Sequence, residues 1–494
     1  MRCLLGLWVV LGGAAWATPG PWSDAPLDPA GRLIDRLGRA QGADMLYGAR
    51  HIGPLGLAHR WARIEGQGAL LAPVLAPEIG AGGGAPHWTF RPIAGVAAGE
   101  VEPALQGGYT EPGWVSARAG GLLSGAWGAA AAFALPEVRG QLGAEADPLV
   151  GLGVPEAWAG LHTPAWQVGF GRVDRWFGPG RHGGLMLTDN ARPAPLGSAA
   201  WEGRLGARGG RLRAELGAGW LDRPRDDVQR PGWLLADLRW APVPMFEMGA
   251  TRLGIFGGVG RPAPPLGQLL LPTDPHVVGD PDRLLPDQDE IAALDGRLTL
   301  PLGEWTGRKG TPGMDLGLDY LELYIQYGGE DLIAREIVGI PVPALAGVAN
   351  LYGFELGLGA LVLDLEHARM LDDRFRWYTG HRIYHRGFTQ DGRVMGHPAG
   401  GDAHSTSTAV RWFPGEWGVE STYDHVLQVG VASVEGDHVQ ALMADTRIDR
   451  FGLRGWWLRG GHRWLQGGLV LERTANSDFL PGPAAWAWRV AIGR

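Results

Sequence analysis

The sequence predicts an all-β protein: a transmembrane antiparallel β-barrel of about 18 strands, with a small N-terminal helical segment on the periplasmic side. Three observations favour this fold class. Apolar and polar residues alternate along segments of about ten residues, the length of a barrel strand. No apolar stretch after the N-terminus reaches the ~18 residues that a membrane-spanning helix needs. The chain of 494 residues contains 82 glycines and 23 tryptophans but only 19% charged residues, which is typical of barrels.

The N-terminus carries the pattern of a secretory signal peptide. Met1 and Arg2 are followed by an apolar run to Trp16, and small residues precede Thr18. We therefore expect residues 1–17 to be cleaved and the chain to be exported, and together with the predicted barrel this indicates the bacterial outer membrane. A retained anchor is the alternative, but the run is shorter than the ~20 residues that a spanning helix requires. The only cysteine lies within this signal, which excludes thiol chemistry from the mature chain.

Two regions are expected after the signal. Residues 18–83 are predicted to form a periplasmic helical or plug segment, because Leu33 and Leu37 share one helical face. Residues 84–494 are predicted to form the barrel. Within the barrel, residues 257–291 are predicted to be a long loop, since proline and Asp-Pro steps replace the alternation.

The clearest strand runs from Arg211 to Trp220. Leucine, alanine and tryptophan occupy one face, whereas arginine and glutamate lie on the other. Residues 234–240, 320–327 and 485–492 show a similar alternation. A soluble β-sandwich or propeller is the alternative. It would not account for outward tryptophan and leucine opposite arginine and glutamate, since a soluble sheet needs a second layer over its apolar face.

The segment Trp176–Pro195 joins a rigid turn to a compact polar cluster. Gly178-Pro179-Gly180 predicts a sharp turn, because glycine permits positive φ and proline fixes its own φ. A short strand is expected at residues 185–187. It leads to three polar residues that are expected to point into the barrel, Asp189, Asn190 and Arg192.

Five motifs, spread over most of the chain, resemble those of the capsule assembly protein Wzi family. These are outer-membrane barrels that hold capsular polysaccharide at the surface of Gram-negative bacteria. The segment Trp176–Pro195 resembles the central signature. The others resemble a Gly-Arg-Pro loop, a segment that re-enters the sheet, a tyrosine strand ending in Glu-Asp, and a Tyr-His-Tyr-Gly-aromatic block with a Gly-Arg…Gly-His tail. They lie at residues 257–262, 288–295, 324–331 and 378–397.

The resemblance implies a surface lectin that attaches capsular or other extracellular polysaccharide to the cell without chemical turnover. An outer-membrane diffusion channel or substrate-specific porin is the alternative, because the same alternation can line an open pore. An enzyme acting on lipid or glycan is a second alternative, but no Gly-x-Ser-x-Gly elbow surrounds Ser405 or Ser407. We expect no enzymatic activity and no cofactor.

Eleven residues of these motifs, together with the adjacent Arg175, are candidates for polysaccharide binding or for a polar network in the lumen. Their polar groups can bind sugar hydroxyls and carboxylates while aromatic rings stack on a pyranose. They can instead hold the barrel interior together, because buried carboxylates need cationic partners. The candidates are Arg175, Trp176, Asp189, Asn190, Arg192, Glu330, Asp331, Tyr378, His381, Tyr384, Arg393 and His397.

The expected partners are capsular or extracellular polysaccharide together with outer-membrane lipid and lipopolysaccharide, and a monomer is expected. The net charge of −8 argues against a nucleic-acid partner. His381, His385, His397 and His404 raise the question of a metal site. Because Ile383 separates the first two and hydrogen-bonded lumen histidines are commoner, no metal is expected.

Overall fold

The computed structural model describes residues 87–493, apart from 100–112, 265–287, 306–316 and several shorter gaps. Twenty strands in this part form one antiparallel sheet, and two pairs of them are the halves of broken strands, which leaves eighteen positions. In chain order these are β1 His87–Gly99, β2 Gly113–Trp127, β3 Ala130–Ala134 with Glu137–Leu142, β4 Leu149–Gly153 with Ala157–His162, β5 Trp166–Arg172, β6 Leu196–Arg204, β7 Arg211–Trp220, β8 Gly232–Val243, β9 Phe246–Phe256, β10 Gln288–Leu300, β11 Leu318–Gly329, β12 Ala349–Leu358, β13 Leu361–Arg369, β14 Ala403–Trp412, β15 Trp417–Gln428, β16 Thr446–Arg459, β17 Arg463–Ala475 and β18 Pro481–Gly493.

The break in β3 has a local cause. Both halves of β3 pair with β2 in one continuous register, and Pro136 lies between them. Proline has no backbone N–H to donate to a ladder, so the strand is interrupted there without changing its place in the sheet. The halves of β4 pair with the halves of β3 in turn.

The sheet closes on itself. Successive strands pair along the whole series. The first strand, β1, pairs with β2 on one side and with β18 on the other, where Ile93–Gly99 lie against residues 487–493. The predicted antiparallel barrel of about 18 strands is therefore confirmed. Within the described residues, closure leaves this sheet without an edge strand, since every strand of the sheet has a neighbour on both sides.

In the strands whose side chains the structure describes, alternation places mostly apolar side chains outside and mostly polar ones inside. Near the extracellular end, inward residues such as Leu235 and Leu253 are apolar. In β7, which begins and ends where predicted, Leu216 and Trp220 are 51% and 42% exposed on the outside, whereas Arg213 and Glu215 are buried inside. In β11, Ile325 faces outward and Glu322 inward. The inner charges are paired, as buried charges must be.

Ion pairs within and between nearby strands hold the inner face together. Arg239 of β8 is fully buried, with Nη1 2.9 Å from Asp295 Oδ1 of β10 and Nη2 3.1 Å from Asp237 Oδ1. Arg297 Nη2 lies 2.5 Å from Glu247 Oε2 of β9. These side chains occupy the wall of the lumen rather than its centre.

The two ends of the barrel differ in the length of their connections. Residues 244–245 join β8 to β9, and residues 359–360 join β12 to β13. At the other end, residues 173–195 join β5 to β6, and residues 370–402 join β13 to β14. Outer-membrane barrels have short periplasmic turns and longer extracellular loops, so we refer to the long-loop end as the extracellular end.

Three details differ from the sequence prediction or lie beyond the described residues. The loop predicted for 257–291 ends earlier, because β10 begins at Gln288 with alternating burial. The short strand predicted at residues 185–187 does not form, since all three side chains are buried and no ladder reaches them. The signal peptide and the segment 18–83 lie outside the described residues.

The described part contains one short helix, Leu302–Trp305. No helix among the described residues is long and apolar enough to cross a membrane.

Candidate functional site

The loop between β5 and β6 folds into the barrel instead of extending from it. We call residues 173–195 the lumen segment. Its apolar residues, Leu185 and Met186 among them, are completely buried and belong to the main hydrophobic core. The same core contains Tyr384 and Phe388 of the β13–β14 loop. This core is formed by loop residues together with inward strand residues such as Leu235 and Leu253. It indicates that loops, rather than water, fill this part of the lumen.

The lumen segment is hydrogen-bonded to the β13–β14 loop. The Thr188 backbone N–H donates to the carbonyl oxygen of Met395 at 2.8 Å, and the Asn190 side-chain amide donates to the carbonyl oxygen of Val394 at 2.9 Å. The Tyr378 hydroxyl accepts from the His397 backbone N–H at 2.8 Å. Residues about 200 positions apart in sequence thus form one interlocked layer.

The Gly-Pro-Gly turn brings the lumen segment against the wall at β11. Gly178 has a φ of +116°, which disfavours any residue with a Cβ atom. A Cβ there would also meet the side chain of Gln326. The Gln326 Oε1 atom accepts a hydrogen bond from the Leu185 backbone N–H at 2.9 Å. The predicted turn therefore serves close packing as well as chain reversal.

Beyond the turn, Arg181 and His182 reach an acidic part of the wall. Their backbone N–H groups donate to the two carboxylate oxygens of Glu366, at 2.5 Å and 3.2 Å. The Tyr324 hydroxyl donates to the same carboxylate at 3.0 Å. The Arg181 guanidinium forms an ion pair with Glu322. Glu366 thus fixes both the backbone of the lumen segment and the orientation of the wall.

His182, the one histidine of the lumen segment, has a raised pKa. Burial disfavours its charged form, but the carboxylate of Asp364, with which it forms an ion pair, outweighs burial together with Glu366 and Asp424. The result is a His182 pKa of about 9. Burial and the nearby charge of His182 lower the pKa of His397 to about 3. At neutral pH the layer therefore holds a charged His182 beside a neutral His397.

We expect these two pKa shifts to give the barrel a pH-dependent stability. The raised pKa of His182 stabilises the fold fully below about pH 6.5, and this contribution is lost as the pH rises through about 9. The lowered pKa of His397 acts above about pH 6.5 and is lost as the pH falls through about 3. The unfolding temperatures of the wild type and of His182→Gln, measured as a function of pH, test the loss of the His182 contribution between about pH 6.5 and pH 9. Parallel curves above pH 6.5 would contradict the assignment.

A second prediction concerns the contact between Gly183 and His397. A Cβ atom on Gly183 would overlap the His397 ring, because the two segments pass within van der Waals contact there. Gly183→Ala should lower the free energy of unfolding by about 1–3 kcal/mol, as overpacking does in a close-packed core. The matched control is Gly197→Ala, whose Cβ has neighbours only at 3.7 Å. Equal unfolding midpoints for the two variants would contradict this prediction, because they would show that the layer accommodates the added methyl group.

Three extracellular loops meet above the lumen segment, and we call the surface they form the cap. The Tyr384 hydroxyl donates to the carbonyl oxygen of Gly257 at 3.0 Å, and the Val259 backbone N–H donates to the carbonyl oxygen of Gln229 at 2.9 Å. Arg386 binds Asp226 through two hydrogen bonds of 2.6 and 2.7 Å. These contacts tie the loops after β7, β9 and β13 to one another.

The outer side of the cap is rich in cationic residues. Arg386 and its hydrogen bonds hold the pKa of the Asp226 carboxyl at about 2, so this acid stays ionised and paired. Beyond that pair, exposed basic side chains come from all three loops. They are Arg230, Arg261, Arg382 and His385. Guanidinium groups at an exposed surface can bind carboxylates and phosphates through two parallel hydrogen bonds.

Most of the predicted site residues lie in the interior rather than on the cap. Arg175 pairs with Glu215 of β7 at 3.5 Å, a partner that the sequence did not indicate. Asp189 is buried, and its charge contributes, after burial itself and Glu156, to raising the pKa of Asp174 well above its ordinary value. The buried candidates are Arg175, Trp176, Asp189, Asn190, Tyr378, Tyr384 and His397.

Four of the remaining candidates are more accessible. His381 is half-buried and stacks on Tyr384 with ring centroids 5.6 Å apart. Arg393 donates to the carbonyl oxygen of Asn190 at 3.4 Å. Arg192 and Glu330 are half-buried, and Asp331 begins a hairpin formed by Asp331–Ile337 and Ile340–Ala346. Within the described ranges, no group of three or more potential ligands is arranged to hold a metal ion.

Sequence reasoning missed the acidic wall that receives Arg181 and His182. The signal was present as alternation in β13, where Asp364 and Glu366 occupy inward positions between outward leucines. It also missed the cap, whose basic residues lie in separate loops without a shared motif.

A family model described as capsule assembly protein Wzi matches residues 123–307 of the chain. The predicted resemblance to the Wzi family is confirmed. The match spans the strands from β2 to β10 and includes the lumen segment, so the Wzi-like part carries the turn and the polar cluster on which the resemblance was based. A search of curated proteins finds no significant match.

The fold is similar to that of a solved outer-membrane protein. Wzi from Escherichia coli, described as a carbohydrate-binding β-barrel involved in group 1 capsule assembly, aligns with a TM-score of 0.66 and 17% identity over 93% of this chain and 97% of that chain. OprD of Pseudomonas aeruginosa aligns with a TM-score of 0.46 and 9% identity, over 82% and 94% of the two chains. OccAB2 of Acinetobacter baumannii aligns with 0.45 and 10%, over 83% and 97%.

Proposed function

We propose that this protein is an outer-membrane, lectin-like barrel that attaches capsular or another extracellular polysaccharide to the cell surface, as a monomer and without chemical turnover. The observation that carries the proposal is the interlocked layer formed by the lumen segment and the β13–β14 loop. A barrel filled by its own hydrogen-bonded loops is suited to presenting a surface and poorly suited to diffusion. The Wzi family match supports the capsule-related role.

We place polysaccharide binding at the cap rather than at the buried motif residues. A polymer approaching from outside meets Arg230, Arg261 and Arg382 first, whereas Asn190 and His397 are already engaged by neighbouring loops. The exposed guanidinium groups among the described cap residues favour a polysaccharide that carries carboxylates or phosphates. On this assignment, the buried candidates position the cap and do not touch sugar.

Disruption of the gene in its native host tests the proposal directly. Polysaccharide should still be produced, but it should be found in the medium rather than on the cells. Restoration by the intact gene, with the same total polysaccharide, is the control. Unchanged cell-bound polysaccharide in the disrupted strain would overturn the attachment role.

Conductance distinguishes this proposal from the porin alternative. The purified barrel in a planar lipid bilayer should give no steady open pore, because the lumen layer obstructs the described part of the channel. A steady conductance of hundreds of picosiemens would favour a diffusion channel instead.

A further inference from the structure

The outer face of β12 to β17 changes character near the extracellular end. One in-register row across β13 to β17 contains four exposed apolar or aromatic side chains and one polar residue, Thr408 of β14. The four are Leu365, Tyr423, Phe451 and Leu471, which are each 39–47% exposed. Such side chains match the hydrocarbon and interfacial region of a bilayer. Polar and basic side chains replace them one outward position further along each strand. The edge of the apolar surface therefore lies between these two rows.

The register of the sheet places the basic residues side by side. Arg369 of β13 lies directly opposite His404 of β14, and His367 lies opposite Thr406. Next come His425 of β15 opposite Asp449 of β16, and Asp449 opposite Arg473 of β17. Because in-register residues of an antiparallel pair point to the same face, these side chains form one outward group. We call it the basic face; it consists of His367, Arg369, His404, His425, Arg447, Asp449 and Arg473.

The described contacts leave an excess of positive charge on the basic face. Asp449 is its single acidic residue, and it is occupied by Arg447 Nε at 2.9 Å and by His425 Nδ1 at 2.8 Å. Among the described residues, neither Arg369 nor Arg473 pairs with a carboxylate. The rings of His367 and His404 lie 6.3 Å apart beside Arg369, which adds no negative charge there. An anion supplied from outside would relieve this repulsion.

The opposite side of the barrel lacks this arrangement in its described part. Near the extracellular end, β7 presents Trp220 and β5 presents Phe170, whose rings stack at 5.7 Å. The charged pair there, Arg252 with Glu290, is internally neutral, with Arg252 Nε 3.1 Å from Glu290 Oε2. Charge and apolar surface are thus distributed asymmetrically around the barrel.

We infer that the basic face binds the phosphate groups of a phosphorylated glycolipid in the outer leaflet. Its cations lie immediately beyond an apolar surface, so a lipid whose acyl chains cover Leu365 and Leu471 would carry its headgroup phosphates to Arg369 and Arg473. Guanidinium groups are suited to phosphate because they donate paired hydrogen bonds. Clusters of basic residues at a membrane interface bind anionic headgroups in the same way. This inference depends on the outer-membrane location but not on polysaccharide binding.

The test measures binding of bisphosphorylated lipid A to the full-length purified barrel in detergent, by native mass spectrometry. The variant is Arg369→Gln with Arg473→Gln, which leaves the Arg447–Asp449 pair intact. Its affinity for bisphosphorylated lipid A should be about thirty-fold weaker than that of the wild type, because two interfacial cations are lost. Dephosphorylated lipid A should bind the wild type and the variant equally.

The matched control is Arg252→Gln with Glu290→Gln on the opposite side, which should bind lipid A as the wild type does. Retention of the heat-modifiable folded band on gels establishes that each variant is folded. Equal lipid A affinity in the wild type and the Arg369/Arg473 variant would overturn the inference, as would equal binding of phosphorylated and dephosphorylated lipid. Inorganic phosphate binding with the affinity of lipid A would overturn the lipid assignment. None of these results bears on capsule attachment, so the two proposals fail independently.

Discussion

Replacing Glu366 with alanine is expected to release the lumen segment from the wall and to destabilise the barrel. The Glu366 carboxylate accepts hydrogen bonds from the backbone N–H groups of Arg181 and His182 and from the Tyr324 hydroxyl. Removing it leaves three buried donors without this acceptor and weakens the charge balance around His182. Hydrogen bonds to a charged group contribute about 1.5–3 kcal/mol each, so the loss should be on the order of 3 kcal/mol even after relaxation.

Two measurements follow the loss of Glu366. Urea unfolding of the barrel in lipid vesicles should show a lower midpoint, and planar bilayers should record transient openings that the wild type lacks. Glu366→Gln is the matched control, since it keeps one acceptor oxygen and the side-chain volume while removing the charge, and its effect should be smaller. An unchanged midpoint and a silent bilayer for the alanine variant would mean that Glu366 does not hold the lumen segment in place.

The sequence was most informative where a single physical rule acted on each residue. In β7, the alternation of Arg213 and Glu215 with Leu216 and Ala218 predicted both the strand and its two faces, because every second side chain of a strand points the same way. The barrel fold and the number of strands followed from repeating this argument along the chain.

Prediction failed where burial was not periodic. Leu185 and Leu187 are apolar neighbours of Met186 and suggested a strand, but the lumen buries all three. The Leu185 N–H donates to the side chain of Gln326 on the wall, and the Leu187 carbonyl oxygen accepts from the Phe177 N–H of the same segment. Ion-pair partners were also beyond reach. Arg175 pairs with Glu215, forty residues away, and nothing local in the sequence selects that carboxylate over others.

The candidate site also has a part that the sequence revealed, the motif residues, and a part that it did not, the cap. Motif resemblance selected residues such as Asn190, Tyr378 and His397, and the structure places these in the interlocked layer. The cap residues belong to three loops that come together only through contacts such as Tyr384 with the Gly257 carbonyl. Polysaccharide contact by a motif residue stays a prediction. The burial of Asn190, Tyr378 and His397 favours a structural role for these three residues.

The cap should therefore be separable from the lumen by mutation. Replacing Arg230 and Arg382 with glutamine removes two exposed cations from different loops without altering the described hydrogen bonds between those loops. We expect affinity for the host's own acidic polysaccharide to fall by about ten-fold, or 1.4 kcal/mol, while the unfolding midpoint stays unchanged. Wild-type binding should also weaken with salt, because the screening length shortens from about 10 Å at 0.1 M to about 3 Å at 1 M.

The control for this experiment is Arg204→Gln, which removes another exposed arginine, at the short-turn end of β6. If net charge alone governed binding, this variant would lose about half as much binding free energy as the double cap variant. If the cap is the binding surface, Arg204→Gln binds as the wild type does, and only the cap variant sheds polysaccharide into the medium when expressed in the disrupted host. Loss of binding in the folded lumen variant Asn190→Ala, with the cap variant unaffected, would move the site into the barrel and restore the motif residues as sugar ligands.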